Sequence, residues 1–227
     1  MRATFRNLSL ATAAIVVLGM AQAANAGTIL VFGQDGTVNT TFGVNNGAGS
    51  TTITNTDTPV TITGYDVGPV ATPFSAFFNF TATNTTAASI GGGGTIFQRY
   101  DGTFSFTSEA GGGGINYLSG SFVDALFGFG TNILMGASTA FPTEDVSFTS
   151  DFATGFAPNL ALSLSLINVT PGVTIVNNSL SSFNASISGN FQADGVQHDV
   201  VPEPASMLLL GTGLVGLGAR LRRRSKA

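Results

Sequence analysis

Apolar and hydroxyl side chains alternate along much of this chain, and this two-residue period is the strongest constraint on its fold. Residues 74–81 read FSAFFNFT, residues 160–166 read LALSLSL, and residues 183–193 continue the pattern. Alternation places apolar side chains on one face of a strand and serine or threonine on the other. No stretch between 27 and 200 has a convincing helical period. The sequence therefore predicts antiparallel sheet with one solvated face.

Shorter strand-like segments and turn residues fill the rest of this region. The segments lie at 28–32, 50–54, 59–63, 95–99, 103–107, 115–118, 132–135, 146–149 and 173–176. The turn pairs that separate strands are Asp35-Gly36, Asn46-Gly47, Asp101-Gly102, Pro171-Gly172 and Asp194-Gly195. Two glycine runs, 91–94 and 111–114, bracket a predicted hairpin at 95–110 that turns at Asp101-Gly102. We interpret both runs as loops between strands.

Ten or more strands in one domain predict an all-β fold, specifically an antiparallel β-sandwich or jelly roll. A β-helix is the alternative. An outer-membrane barrel ranks third, because many predicted strands are short and rich in threonine. The chain contains no cysteine, so stability depends on burial, and 18 of its 19 phenylalanines lie between 27 and 200. About 174 residues are enough for one domain with a substantial core.

Charge is distributed very unevenly. Arg99 is the only lysine or arginine between 27 and 200, against eleven acidic residues, which gives this region a formal charge of −10. Nucleic-acid and anionic-membrane binding both require basic surfaces. The sequence therefore predicts that this region binds neither partner, and that a membrane contacts the chain only through the C-terminal segment described below.

The N-terminus has the organisation of a secretory signal peptide. Two arginines lie within the first six residues, and an apolar segment follows at 8–20. Ala24 and Ala26 form an A-x-A cleavage site, which leaves Gly27 as the mature N-terminus. A second possible site is at 21–23. This pattern predicts a Sec-type export machinery as a partner.

The C-terminus combines three features in a fixed order. An apolar run at 205–219 is shorter than the roughly 20 residues that comfortably span a bilayer. A proline-rich motif precedes it, and a basic tail that is costly to move through hydrocarbon follows it. The motif consists of Val201, Pro202, Glu203 and Pro204, and the basic residues are Arg220, Arg222, Arg223, Arg224 and Lys226.

Together these features at 201–227 resemble the PEP-CTERM sorting signal of exported Gram-negative bacterial proteins. The resemblance implies recognition by an exosortase and removal of the apolar helix near the triplet. It also implies an inner-membrane intermediate, then the cell surface or extracellular space, in systems linked to exopolysaccharide and biofilm. An ordinary single-pass tail anchor is the alternative. The predicted domains are a signal peptide (1–26), a β-rich extracellular domain (27–196), a linker with the motif (197–204), a transmembrane helix (205–219) and a cytoplasmic tail (220–227).

Groups that carry catalysis are scarce between 27 and 200. His198 is the only histidine and lies close to the motif, and there is no cysteine, lysine or G-x-S-x-G elbow. We therefore predict a non-enzymatic structural protein of the surface or extracellular matrix. Carboxylates near one predicted strand, Glu144, Asp145 and Asp151, leave a secreted glycoside hydrolase as the third hypothesis.

Ligand binding is the second hypothesis, in the form of a lectin-like module for polysaccharide. Sugar sites favour aromatic platforms beside polar groups, and the candidates are Tyr100, Tyr117 and Arg99. We predict no cofactor and no metal. Calcium prefers hard oxygen ligands, and the candidates are Asp35, Asp101, Glu144, Asp145 and Asp194, but no calcium-loop motif surrounds them.

Overall fold

The computed structural model describes residues 27–129 and 133–198, and these form strands and two short 3-10 helices. The strands are β1 (Gly27–Gln34), β2 (Thr41–Gly47), β3 (Ser50–Tyr65), β4 (Phe74–Asn84), β5 (Ser89–Ile90), β6 (Ile96–Thr107), β7 (Asn116–Phe129), β8 (Ile133–Ser138), β9 (Asp145–Thr149), β10 (Gly155–Phe156), β11 (Ala161–Thr170), β12 (Ile175–Val176), β13 (Ser179–Leu180), β14 (Phe183–Ala193) and β15 (Val196–Gln197). The 3-10 helices are Gly92–Gly94 and Ala110–Gly112. The all-β prediction is confirmed.

The predicted signal peptide with Ala24 and Ala26, the motif at 201–204, the transmembrane helix and the basic tail all lie outside the described residues. In the ranges that are described, no helix is both long and apolar enough to cross a membrane. The predicted mature N-terminus, Gly27, is the first residue of β1 and pairs with Ala193 of β14. β15 extends the folded domain to Gln197, the first residue of the predicted linker.

Eight strands close into an antiparallel barrel. Their order around the ring is β1-β3-β4-β6-β7-β8-β11-β14, and β14 pairs again with β1. β2 bridges β3 and β14, while β5 and β9 extend from β6 and β7. The remaining four short strands form two separate pairs, β10–β15 and β12–β13. The predictions of antiparallel pairing and of ten or more strands are confirmed, but the sandwich, the jelly roll and the β-helix are wrong.

β-Bulges interrupt the regular pairing of the two longest strands of the barrel, β3 and β7. β3 joins two predicted strands into one of 16 residues, with a register shift between Asn55 and Thr58. β6 runs without interruption through Asp101 and Gly102, where its pairing with β7 is shifted. A bulge bends and twists a strand more than regular pairing does. The predicted hairpin turn at Asp101-Gly102 is therefore wrong, although both glycine runs do connect strands as predicted.

Phenylalanine fills the interior of the barrel. The rings of Phe32, Phe78 and Phe106 lie with centroids 4.7–4.9 Å apart, and Phe104 is 4.5 Å from Phe191. Each of these side chains is buried. Eight strands enclose a space just wide enough for side chains to fill it, so the alternating apolar residues of all eight strands share one core. Serine and threonine occupy much of the outer surface.

Candidate functional site

An open groove of about 690 Å³ crosses the outer surface of the barrel over β6, β7, β8 and β11. Its size is within the range typical of small-molecule sites. Apolar side chains form most of its surface, and hydroxyl and charged groups lie around them. Its principal side chains are Thr95, Phe97, Arg99, Leu126, Leu134, Ser138, Phe141, Glu144 and Ser163.

The floor of this groove is set by the register of β7 and β8. Leu126 lies opposite Gly136, and Gly128 lies opposite Leu134. Each leucine of the floor therefore faces a glycine on the neighbouring strand. A Cβ atom at Gly136 would meet only the Leu162 carbonyl oxygen, at 3.5 Å. A Cβ at Gly128 would come no closer than 3.6 Å to the ring of Phe97. These are ordinary contacts, so both glycines leave open space in the floor without being required by close packing.

An ion-pair cluster lies at one end of the groove. Arg99 Nη1 donates to Asp124 Oδ2 at 3.0 Å, to the Asp124 carbonyl oxygen at 2.7 Å and to Glu144 Oε1 at 3.4 Å. The other carboxylate oxygen of Glu144 accepts the backbone N–H of Ser138 at 2.9 Å. The Glu144 side chain is only 9% exposed. Both of its oxygens are therefore fixed, and Glu144 in turn helps to fix the guanidinium group.

The bulge between β6 and β7 places Asp124 beside Arg99. Pairing changes from Tyr100–Ala125 to Gly102–Phe122 across this point. Asp124 adopts the left-handed backbone region with φ of 59°, and its N–H donates to Asp101 Oδ1 at 2.8 Å. Aspartate tolerates this region better than most residues. The bulge therefore orients the carboxylate that restrains the arginine.

A tight turn between β8 and β9 supplies both Phe141 and Glu144. Phe141 N–H donates to the Ser138 carbonyl at 3.1 Å, and Glu144 N–H donates to the Phe141 carbonyl at 3.2 Å. The Phe141 side chain is 60% exposed, although its backbone is held at both ends of the turn. The turn thus presents an aromatic ring to solvent at the edge of the groove.

The two tyrosines predicted to contact sugar are inside the protein. Tyr100 is 0% exposed and Tyr117 is 8% exposed. Tyr100 donates its hydroxyl proton to Gln98 Oε1 at 2.8 Å, and burial raises the pKa of its phenol. Tyr117 packs among aromatic rings, with Phe74 at 4.7 Å. Neither ring face is open to a ligand, so this part of the sugar-site prediction is wrong, and of the three candidates only Arg99 lies in the groove.

Sequence reasoning missed the aromatic residues that do face the groove, Phe97 and Phe141. In β6, Phe97 lies between the buried residues Ile96 and Gln98, so alternation places its side chain on the outer face of the strand. The sequence does not reveal this alternation, because Gln98 is polar and would ordinarily be assigned to the solvent-facing side of the strand. Gln98 is buried because its amide bonds to the Thr86 carbonyl and to Ser179. A buried, fully bonded glutamine next to a phenylalanine is difficult to recognise from sequence.

The residues predicted as calcium ligands each accept hydrogen bonds from different groups of the protein. Asp35 accepts the Thr61 hydroxyl at 2.6 Å, Asp145 accepts the Val146 N–H at 2.9 Å, and Asp194 accepts the Asn159 side-chain amide. Asp101 and Glu144 are bonded as described above. Across residues 27–129 and 133–198, no three histidine, cysteine, aspartate or glutamate side chains form a group able to hold a metal ion.

The three carboxylates considered for glycoside hydrolysis do not form one cluster. Asp145 begins β9, and Asp151 lies beyond its other end, where Asp151 Oδ2 accepts the Asn116 N–H at 2.7 Å. Glu144 instead shares the guanidinium group of Arg99 with Asp124. His198 directly follows β15. The pair that the fold brings together, Glu144 and Asp124, was not predicted.

Residues 200–224 match the PEP-CTERM protein-sorting motif. The match confirms the resemblance predicted for the C-terminal segment, and it does not include the barrel. Comparison with curated proteins and with solved structures gave no match. The motif implies an exported protein that an exosortase processes and that reaches the cell surface of a Gram-negative bacterium.

Proposed function

We propose that this protein is a non-enzymatic structural component of the cell surface or of the extracellular matrix of a biofilm. The sorting motif at 200–224 supports the proposal, because it implies an exported protein that is sorted to the cell surface. In this scheme the exosortase removes the apolar segment, and the barrel domain remains outside the cell.

The physical character of the barrel supports a passive role. Its interior is filled by phenylalanine and aliphatic side chains, so the lumen is a core. The acidic residues that we considered for chemistry accept hydrogen bonds from backbone amides, side chains or Arg99. A closed barrel also leaves few unpaired strand edges, which limits uncontrolled aggregation in the crowded space outside the cell. The proposal requires no cofactor and no metal.

The sorting part of the proposal is tested by a double substitution, Pro202→Ala with Glu203→Ala, in a host that has an exosortase. We expect the variant to stay in the inner membrane at the mass left by signal-peptide cleavage alone. The unaltered protein is expected at the surface or in the medium, shortened near Pro204. Intact-mass spectrometry of each cell fraction measures both quantities.

Pro142→Ala is the matched control, because Pro142 is exposed in the turn between β8 and β9 and lies outside the motif. This variant should be processed like the unaltered protein. Equal processing of the double variant and the control would contradict sorting through the motif. If the unaltered protein keeps its complete C-terminus and stays in the inner membrane, the tail-anchor alternative is favoured.

The second candidate function is polysaccharide binding, and the groove favours it. Phe97, Phe141 and Arg99 offer the combination of aromatic and polar groups that the sequence had suggested for Tyr100, Tyr117 and Arg99. Matrix retention and sugar binding are compatible roles for one protein. They are separable by experiment, because sorting depends on residues 200–224 and binding depends on the barrel surface.

A further inference from the structure

We infer that the groove over β6, β7, β8 and β11 is a binding site for a neutral oligosaccharide. This inference rests on the polysaccharide-binding alternative but not on the sorting mechanism. It assigns the site, the residues and the charge class of the ligand.

The distribution of polar groups in the groove indicates a ligand with one apolar face and polar edges. Leu126 and Leu134 form the floor, and Leu134 is 56% exposed. Hydroxyl groups lie on different sides of that floor, from Thr95 before β6, Ser138 at the end of β8 and Ser163 on β11. A pyranose ring has this character, since its C–H groups form an apolar face and its hydroxyls project from the edge.

A purely aliphatic ligand fits this surface less well. An acyl chain would cover Thr95, Ser163 and the ion-pair cluster without supplying hydrogen bonds to them. Covering polar groups without replacing their hydrogen bonds to water is unfavourable. An oligosaccharide replaces those bonds with its own hydroxyls while it covers the exposed leucines.

The polar end of the groove is already ordered. Glu144 is fixed through both carboxylate oxygens, and Arg99 is fixed by Asp124 and Glu144. A site whose side chains are held before binding loses less conformational entropy when the ligand arrives. Phe141 is attached to the same turn as Glu144, so an aromatic surface and a charged hydrogen-bonding group are positioned together.

Charge excludes the anionic class of polysaccharide. The groove holds one guanidinium group against the carboxylates of Asp124 and Glu144. The surrounding region of the chain, residues 27–200, carries a formal charge of −10. Uronic-acid polymers and phosphorylated glycans are therefore repelled both locally and at long range. Neutral glycans meet no such barrier.

The decisive variant fills the groove without altering the core. Gly136→Val places a side chain on the floor, where a Cβ meets only an ordinary contact and the backbone φ is not left-handed. Valine is also more favourable than glycine in a strand. The matched control is Gly33→Val in β1, since a Cβ at Gly33 would meet nothing within 4 Å and Gly33 is outside the groove. A second pair is Phe141→Ser in the groove with Phe42→Ser in β2 as its control.

The experiment titrates the exported mature protein with hexasaccharides by calorimetry. The neutral probes are β-1,3-, β-1,4- and α-1,4-linked glucose and β-1,4-linked N-acetylglucosamine, and the anionic probe is hexagalacturonate. Octyl glucoside below its micelle concentration separates binding of an alkyl chain from binding of sugar. We expect at least one neutral hexasaccharide to bind, with about a tenfold or greater loss of affinity in Gly136→Val and in Phe141→Ser. Both controls should bind as the unaltered protein does.

Several results would overturn the inference. These are no binding of any neutral hexasaccharide, equal or tighter binding of hexagalacturonate, or binding that both groove variants leave unchanged. Binding of octyl glucoside in preference to every hexasaccharide would identify an alkyl site instead. None of these outcomes depends on the processing of the C-terminus, so the two proposals fail independently.

Discussion

The inner and outer faces of β6, β7 and β8 use apolar residues for different purposes. On the inner face Phe106, Phe127 and Ile133 are fully buried in the common core. On the outer face Leu126 and Leu134 of the same strands remain exposed beside the groove. The comparison shows that hydrophobicity in these strands does not by itself mean burial. The inner residues stabilise the fold, and the outer ones are available to a ligand.

Glycines in β6, β7 and β8 also fall into two groups, according to whether the fold leaves room for a side chain. A Cβ at Gly120 would lie 1.8 Å from the Ser147 carbonyl oxygen, and one at Gly102 would lie 2.2 Å from that of Thr81. Real side chains do not approach backbone so closely, so the fold requires glycine at both positions. Gly128 and Gly136 have no such clash, and their effect is to leave the floor of the groove open.

The largest expected effect is at the centre of the inner face. Phe106→Ala should lower the free energy of unfolding by about 3–5 kcal/mol, because it removes ring contacts with Phe32 and Phe78 and leaves a cavity. Leu134→Ala on the outer face should change it by roughly 0.5 kcal/mol or less. Urea denaturation followed by tyrosine fluorescence measures both. Similar losses in the two variants would contradict the division between the faces.

The next largest effect on the free energy of unfolding is expected when a methyl group is added at one of two glycines, Gly120 or Gly136. Gly120→Ala should cost about 1–3 kcal/mol of unfolding free energy, since β7 and β9 must separate to admit the methyl group. Gly136→Ala should be neutral within about 0.5 kcal/mol, or slightly stabilising. The same denaturation measurement distinguishes them. Equal costs would show that the groove floor is as tightly constrained as the β7–β9 contact.

A smaller effect is expected at the ion-pair cluster. Arg99→Gln should cost about 1–2 kcal/mol, because Glu144 is mostly buried and loses a charged donor. The double-mutant cycle with Glu144→Gln isolates the coupling between the two side chains. We expect a coupling that weakens as salt rises, because Arg99 is partly exposed. A coupling of zero at low salt would mean that the cluster does not hold the groove in shape.

The smallest effect at neutral pH belongs to the partly buried phenol of Tyr65. Burial raises the pKa of Tyr65 to about 12, from an ordinary value near 10. The folded state therefore keeps this proton more tightly than the unfolded state does. Stability from Tyr65 is complete below pH 10 and declines as the pH rises from 10 towards 12. Thermal melting between pH 9 and 11.5 should show this decline.

Tyr65→Phe should remove part of the loss of stability at high pH. It also removes the hydrogen bond from the Tyr65 hydroxyl to the Tyr117 carbonyl. Tyr100 remains in the variant, and burial raises the pKa of its phenol as well, so stability should still depend on pH to some extent. An identical decline in the variant and the unaltered protein would show that Tyr65 is not a source of the effect.

Local patterns predicted most of the strands, because alternation depends only on neighbouring residues. The strand at 183–193 has the predicted bounds, and the predictions at 74–81 and 146–149 fall within β4 and β9. Several predicted strands turned out to be parts of longer ones. The Asp101-Gly102 pair, which is typical of a turn, instead lies within β6, where both residues pair regularly with β4 and the facing strand β7 bulges.

The groove was less predictable, because the bulge in β7 reverses which residues face inward. Leu118 and Phe122 point into the core before it, and Ala125 and Phe127 do so after it. Strict alternation from Phe122 would have buried Leu126, which instead lines the groove. A one-residue change of phase exchanges the two faces of a strand.

The sequence by itself determined the chemistry available to this protein and its destination. The sorting motif, the uneven charge, the absence of cysteine and the alternation of strands are all properties of residues in order along the chain. The tertiary structure alone decided that the sheet closes into a barrel, that Tyr100 and Tyr117 are buried, and that Arg99 meets Asp124 and Glu144. These outcomes depend on pairings between strands distant in sequence and on the bulges that bend them, and local periodicity does not specify either one.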